Sequence, residues 1–240
     1  MFPTYEIRWA YSSKIVREKL KAQSNSNCLI DSPLEALNKF FEDKFNEVIV
    51  QSLHVIAGFE FNALRDTILS FSNNRFNFSL ALGLPLITSL NDIDKVNKYL
   101  LSSLPLERSA DDAVIFFAHG SDHYSGLAYT AIQHQLTKLD KNAFLTTVEG
   151  EPDVNSVIGE CVEKGIKRAY LIPYMSVVGD HIINDMDSEE KDSLKSILRE
   201  AGIEGISIMK GLAENENIVR IWMDHLSAAI CKMENKSDRV

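Results

Sequence analysis

The chain reads as an α/β protein of two similar three-layer lobes with parallel sheets, and three observations lead there. Short β-branched or aromatic runs alternate with helical patterns along all 240 residues, as expected when helices connect parallel strands. The composition, 45% hydrophobic and 25% charged, is that of an ordinary globular protein. The two halves also repeat one another weakly.

Strands are expected over Tyr5 to Tyr11, Glu47 to Gln51, Asn77 to Leu82, Ala113 to Ala118, Ala143 to Val148, Arg168 to Ile172 and Gly205 to Met209. Helices fill the gaps. Ser32-Pro33-Leu34-Glu35 reads as an N-cap, a proline at the first helical position and a capping-box glutamate, ahead of apolar Leu37, Phe40 and Phe41. Asp153 opens a helix with the face Val154, Val157, Ile158, Cys161 and Val162, and Gly165 stops it. The acidic run Asp187 to Asp192 marks a further helix start, with Leu194, Ile197 and Leu198 repeating the apolar spacing before Gly202. The last helix carries Ile218, Val219, Trp222, Met223 and Leu226 as a core stripe.

In the repeat, Val50 to Gly58 parallels Leu171 to Gly179, and Gly83-Leu84-Pro85 parallels Gly211-Leu212-Ala213. This predicts pseudo-twofold related lobes, 1–110 and 111–240. The second lobe opens with the strand ending at His119, a helix over Leu127, Ala131, Ile132 and Leu136, and the strand ending near Glu149. Tyr5 to Tyr11 is the counterpart of that later strand, so the first lobe is expected to lack its first strand and helix.

Charge and apolar content exclude several classes. A net charge of −9, with no Lys/Arg stripe, disfavours nucleic-acid binding. No apolar run approaches the ~20 residues of a membrane span, and the start lacks the basic flank and apolar core of a signal peptide, so a cytoplasmic location is expected. Cys28, Cys161 and Cys231 lie far apart without a C-x-x-C, which argues against disulfides and thiolate zinc.

Two histidines follow apolar strands. His119 closes Val114 to Ala118, and His181 follows Tyr170 to Met175 through Val178-Gly179-Asp180. Ligands of open α/β sheets bind outside the carboxyl ends of strands, so both are candidate metal ligands. Gly120 permits close backbone approach to a ligand, and Ser121 follows it before a helix start that favours anions. Asp180 beside His181 can hold the ring tautomer. Glu149 ends a third strand of the same lobe; alone it reads as the first polar residue after a strand, but with two imidazoles it suits a borderline divalent cation with open coordination positions. His123 reads as a partner of the site or a surface cap, and His134 and His225 as residues of helix packing or surface.

These segments, in order, resemble the anaerobic sirohydrochlorin cobaltochelatases of the class II chelatase superfamily. The resemblance rests on Gln51-Ser52-Leu53-His54-Val55-Ile56-Ala57-Gly58-Phe59-Glu60, Gly83-Leu84-Pro85-Leu86, Ala118-His119-Gly120, Val148-Glu149-Gly150-Glu151-Pro152-Asp153-Val154, Gly179-Asp180-His181-Ile182-Ile183-Asn184-Asp185-Met186 and Gly211-Leu212-Ala213-Glu214-Asn215. It spans essentially the whole chain, and the Gly-Asp-His-x-x-Asn-Asp-Met segment is its most specific part. It differs where Ala118 replaces a common glycine, where Ser52 replaces a common proline, and in the missing Ser-Phe-Gly-Thr-like loop.

The resemblance implies two lobes around a tetrapyrrole cleft, a metal held by His119, His181 and Glu149, and His54 in the first lobe's half of the cleft. It implies insertion of Co(II) into sirohydrochlorin or a close precorrin during corrinoid synthesis, with His119 and His181 also accepting pyrrole protons. Co(II) is then a substrate metal and no tightly bound cofactor is expected. His54, Gly120, Ser121 and Asp180 are assigned to the macrocycle, although no Lys/Arg cluster lines the motif loops to meet its carboxylates. Iron or nickel insertion into a related tetrapyrrole, a non-catalytic tetrapyrrole or metal carrier, and a small-molecule binding protein with structural histidines stay open, as does oligomeric state, a homo-oligomer included.

Overall fold

The computed structural model describes residues 4–23, 30–73, 78–179 and 182–237. Contacts gather the chain into two compact units: Met1–Ser52, Phe59–Leu84 and Asp224–Val240 form the first, and Leu53–Gly58 with Pro85–Met223 form the second. Both sheets are parallel, as the alternating sequence pattern predicts.

The first unit holds α1 (Lys14–Gln23), α2 (Pro33–Glu42), β1 (Glu47–Gln51), α3 (Phe59–Asn73) and β2 (Ser79–Gly83). The capping box forms as expected: the Ser32 amide donates to the Glu35 carboxylate at 2.7 Å, and the Glu35 amide donates to the Ser32 hydroxyl at 3.3 Å. With its entry thus fixed, α2 turns Leu37 and Phe40 into a core with Val48, Leu64, Ile68, Phe71 and Phe78. Strands β1 and β2 pair in register from Glu47 with Ser79 to Gln51 with Gly83.

Tyr5 to Tyr11 is not the strand its alternation predicts. It has no ladder partner among the described residues, and a strand is defined by its neighbour's hydrogen bonds. The segment is instead tethered through side chains and one long-range backbone bond. The Arg8 guanidinium lies 4.3 Å from the Phe40 ring centroid and donates to Asp43 at 2.6 Å, and the Tyr11 amide donates to the Asp31 carbonyl.

The second unit holds α4 (Leu90–Ser102), β3 (Ala113–Gly120), α5 (Leu127–Leu139), β4 (Ala143–Glu149), α6 (Val154–Glu163), β5 (Arg168–Pro173), α7 (Leu194–Glu200), β6 (Glu204–Ser207) and the start of α8 (Glu216–Ser237). Its sheet runs β4-β3-β5-β6. Alternation divides the strands between two cores. Val114, Phe116 and Ala118 pack with Ile93 and Val96 of α4, Ile132 and Leu136 of α5, and Ile218 and Trp222 of α8. Ala113, Ile115 and Phe117 pack on the other face with Val157, Ile158 and Cys161 of α6 and Leu194 and Leu198 of α7. Strand β3 is therefore sealed on both faces, which explains its unbroken apolar run.

Two helix boundaries refine the expectations. Asp153 caps α6 by accepting from the Asn155 and Ser156 amides, and Gly165 ends the segment at φ 71°, as predicted. The acidic run Asp187 to Asp192 is not a helix start. It spans the end of a π-turn over Ile183–Asp187 and the bends after it, while α7 begins beyond Ser193, whose hydroxyl accepts from the Ser196 amide. A neutral serine satisfies the exposed amide there, so the acids serve other partners: Asp187 binds Lys195 at 2.8 Å, and Glu189 binds Arg199 at 2.8 Å.

At the amino edge of this sheet an ionic clasp joins three strand starts. Arg168 donates to Asp112 at 2.7 Å, and Arg108 donates to Asp140 at 2.6 Å and to the Asp112 carbonyl at 2.9 Å. The Arg168 guanidinium holds the Asp112 carboxyl below its ordinary pKa, outweighing burial. A depressed carboxyl stabilises the fold fully above its unfolded value, near ~3.9, and loses that contribution as pH falls through its native value. Asp112→Asn should therefore cost about 1 kcal/mol at neutral pH, a modest figure because Arg168 is partly exposed. Urea unfolding midpoints should show a gap between wild type and variant that is constant above about pH 5 and closes on acidification toward pH 3.

Candidate functional site

The site is built at the opposite, carboxyl edge of the second unit's sheet. Strands β3 and β4 run parallel until Gly120 stands opposite Glu149. His119 and Glu149 are both exposed at these neighbouring ends, while Ala113 to Ala118 and Ala143 to Thr147 leading toward them are buried. Strand alternation puts His119 on the side of Ile115 and Phe117 and places Glu149 on the last rung, across from Gly120. A small pocket of about 180 Å³ opens on the His119 side, lined by Phe117, Val148, Asp185 and Asp192 among others.

Gly120 permits this close approach. Its φ is 83°, and a Cβ built on it would lie 1.7 Å from the Glu149 carbonyl oxygen. Only glycine fits, so the backbone that joins His119 to the next loop passes directly over the end of β4. Glu149 is held from its own side by a folded-back turn. The Pro152 carbonyl accepts from the Thr147 amide at 2.9 Å and from the hydroxyls of Thr146 and Thr147 at 3.1 and 3.3 Å.

Three further loops meet at this edge. Segment Leu53–Gly58, which carries half-buried His54, belongs to the second unit. The Leu86 amide donates to the His54 carbonyl, and the Ser176 hydroxyl donates to the Leu53 carbonyl. Gly58 lies beside Ser125, in the turn that follows His119. Ser176 stands on the loop leaving β5, which the Leu212 and Ala213 amides bind through the carbonyls of Met175 and Ser176. Thus the loops after β1, β3, β5 and β6 are linked to one another at this edge. This same β5 loop runs on to Gly179; Asp180 and His181 lie outside the described residues.

Ser121 follows Gly120 and accepts from the His123 amide at 3.1 Å. His123 is a cap: its Nδ1 accepts from the Ser125 amide at 3.2 Å and lies 2.8 Å from the Ser125 hydroxyl. His134 sits exposed on α5, and His225 lies half-buried on α8. Beneath the loops is Tyr174, fully buried, its amide bonded to the Phe117 carbonyl and its ring edge-on to Phe116 at 6.2 Å. Burial, with Tyr129 nearby, pushes its hydroxyl far above the ordinary phenol range, and burial raises Tyr129 to about 12, so both are neutral at working pH.

Among the described residues no three His, Cys, Asp or Glu side chains gather closely enough to hold a metal ion. The structure brings His119 and Glu149 to adjacent strand ends and ties His54's loop to the same edge. Sequence reading missed Ser176 and the Thr146–Thr147–Pro152 clasp. A loop serine carries no distinguishing signal, whereas two threonines inside an otherwise apolar strand ahead of a proline are one that can be read.

Comparisons with known proteins fit this arrangement. Residues 1–231 match the cobalt chelatase (CbiK) family. The sirohydrochlorin cobaltochelatase CbiKC of Nitratidesulfovibrio vulgaris is 33% identical over 234 residues, covering 98% of this chain and 82% of the relative. The sirohydrochlorin cobaltochelatase of Salmonella typhimurium is 33% identical over 229 residues, 95% of this chain and 84% of the relative. The chain belongs to the cobalt chelatase family. Its fold is that of SirB from Bacillus subtilis, solved with Fe3+ (TM-score 0.60, 11% identity, 94% of each chain). The sirohydrochlorin chelatase SirB from Bacillus subtilis subspecies spizizenii, solved with cobalt, superposes similarly (TM-score 0.58, 11% identity, 95% and 90% of the chains).

Two substitutions test the packing of this edge. Gly120→Ala should destabilise by about 2 kcal/mol or more, from left-handed strain plus the Glu149 contact. Tyr174→Phe removes a buried hydroxyl that has no protein partner among the described residues, so it should be neutral or stabilising by up to about 1 kcal/mol. Urea unfolding of both variants measures each value, and a Tyr174→Phe loss above about 1 kcal/mol would contradict the packing described.

Proposed function

We propose that this protein inserts Co(II) into sirohydrochlorin, in the synthesis of cobalamin, and that His119, Glu149 and His181 hold the ion. The observation that carries the activity is the match to sirohydrochlorin cobaltochelatases over nearly the full chain at 33% identity. The ligand assignment is supported by the neighbouring carboxyl ends of β3 and β4, which carry His119 and, on the Gly120 side of the sheet, Glu149. The remaining assignments follow the same reading: His54, Gly120, Ser121 and Asp180 meet the macrocycle.

Insertion exchanges one divalent cation for two pyrrole protons, so the site must bind a partly dehydrated metal and accept protons. Two neutral imidazoles and a carboxylate suit a borderline cation and leave coordination positions for the incoming pyrrole nitrogens. As each ligand hands the metal over, its freed nitrogen or oxygen is a base within reach of a leaving proton. The exposed ends of β3 and β4 keep this exchange open to solvent. A closed site would trap the ion instead. Among the described residues no helix is long and apolar enough to cross a membrane.

Cobalt-insertion assays on His119→Ala and His181→Ala should show turnover reduced on the order of a hundredfold or more, with Glu149→Gln reduced less. Near-normal turnover in both histidine variants would overturn the ligand assignment. Parallel assays with Co²⁺, Fe²⁺ and Ni²⁺ should give cobalt the highest turnover; a clear preference for iron or nickel would reassign the metal.

A further inference from the structure

We infer that Tyr124 and Leu127 form an apolar platform on the loop beyond His119 that receives one face of the tetrapyrrole, Tyr124 by stacking on it. The inference rests on the reading above that this chain acts on sirohydrochlorin. Neither residue belongs to the segments that carry the family resemblance.

The turn that presents them is rigid. It leaves β3 at Gly120 and passes through one 3-10 turn, Tyr124–Gly126, into α5. The Gly126 amide donates to the His123 carbonyl at 2.7 Å, and a Cβ built on Gly126 would collide with the Ser121 carbonyl oxygen, so the turn closes on itself with no room for a side chain there. The Leu127 amide donates to the carbonyls of Tyr124 and Ser125. His123, whose Nδ1 accepts from the Ser125 amide, backs the Tyr124 ring: the two ring centroids are 4.0 Å apart, with their planes inclined by 39°. Residues three apart on a 3-10 turn stand on one face, which groups Tyr124 with Leu127.

Both side chains are left in water. Tyr124 is 77% and Leu127 75% exposed, and Val177, on the β5 loop at the same edge, is 70% exposed. Folding does not need them: Tyr129, Ile132 and Leu136 carry the buried face of α5. Single exposed apolar residues are ordinary, but an aromatic ring backed on one side by an imidazole and open on the other is a stacking surface formed in advance. Little ordering remains to oppose binding.

Position and chemistry define the occupant. Tyr124 lies five residues beyond His119, so their Cα atoms are at most about 17 Å apart. One macrocycle with its carboxylate arms bridges such a span. Its broad π face stacks on Tyr124 and covers Leu127, while its carboxylates stay at the rim in water. A hydrated cation gains nothing from this surface. Contact with the ring face, away from the reacting nitrogens, adds equal binding energy to the ground and transition states, so it acts on KM and not on kcat.

Metal-free sirohydrochlorin, followed by its absorbance, is titrated into wild type, Tyr124→Ala, Tyr124→Phe and Leu127→Ala, alongside cobalt-insertion kinetics and Co(II) titrations without macrocycle. Tyr124→Ala should raise Kd and KM about tenfold with kcat changed less than about twofold, and Leu127→Ala should raise both about threefold. Tyr124→Phe keeps the ring and should stay within about twofold of wild type. Co(II) affinity should equal wild type in every variant, whereas a turn that only positioned His119 would lower it. An unchanged Kd in Tyr124→Ala, a parallel loss of Co(II) affinity, equal losses in the Phe and Ala variants, or a wild-type dimer that Tyr124→Ala dissociates would each overturn the inference. Cobalt insertion by wild type with Tyr124→Ala unaltered sinks this inference alone; a wild type that binds no sirohydrochlorin overturns the functional reading with it.

Discussion

The central position of β3 is the constraint on which the candidate site depends. Its edges are taken by β4 and β5, and its faces by two separate apolar cores, so neither its register nor its direction can change without exposing large side chains. Because all the strands are parallel, their carboxyl ends leave the sheet side by side. His119, Glu149 and the loop toward His181 emerge together for that reason, although they are far apart in sequence.

The two edges of this sheet carry different duties. At the amino edge, Arg108 pairs with Asp140 and Arg168 with Asp112 in a charge network that holds the strand starts. At the carboxyl edge, ionisable groups are left exposed and the order comes from backbone bonds and close packing: Gly120 over Glu149, Pro152 beneath the threonines, Ser176 on Leu53. A protein that must capture an ion and release it is served by such a division. Stability comes from the amino edge, and the groups proposed to meet the ion, His119 and Glu149, are left exposed.

Local chemistry was the part most readable in the sequence. The capping box at Ser32, the cap at Asp153, the stop at Gly165 and the apolar run of β3 each follow from short-range rules and stand where expected. Tyr5 to Tyr11 has the alternation of a strand but not its ladder, because alternation states which faces would be buried and cannot supply a neighbour. The acidic run before α7 misled for a related reason: acids favour a helix start, but Ser193 met the same amide without charge. In the site, His119 and Glu149 could be placed at strand ends from the pattern alone. That Gly120 would stand across from Glu149 at close range, and that Ser176 would tie in the His54 loop, are tertiary facts with no local signature.

Anomalous diffraction from crystals of the 240-residue protein soaked with Co(II) tests the central claim most directly. One strong cobalt peak is expected at the carboxyl ends of β3 and β4, within coordination distance, about 2.0 to 2.3 Å, of the rings of His119 and His181 and of the Glu149 carboxylate. A cobalt peak elsewhere, or none at this edge at saturating metal, would contradict it.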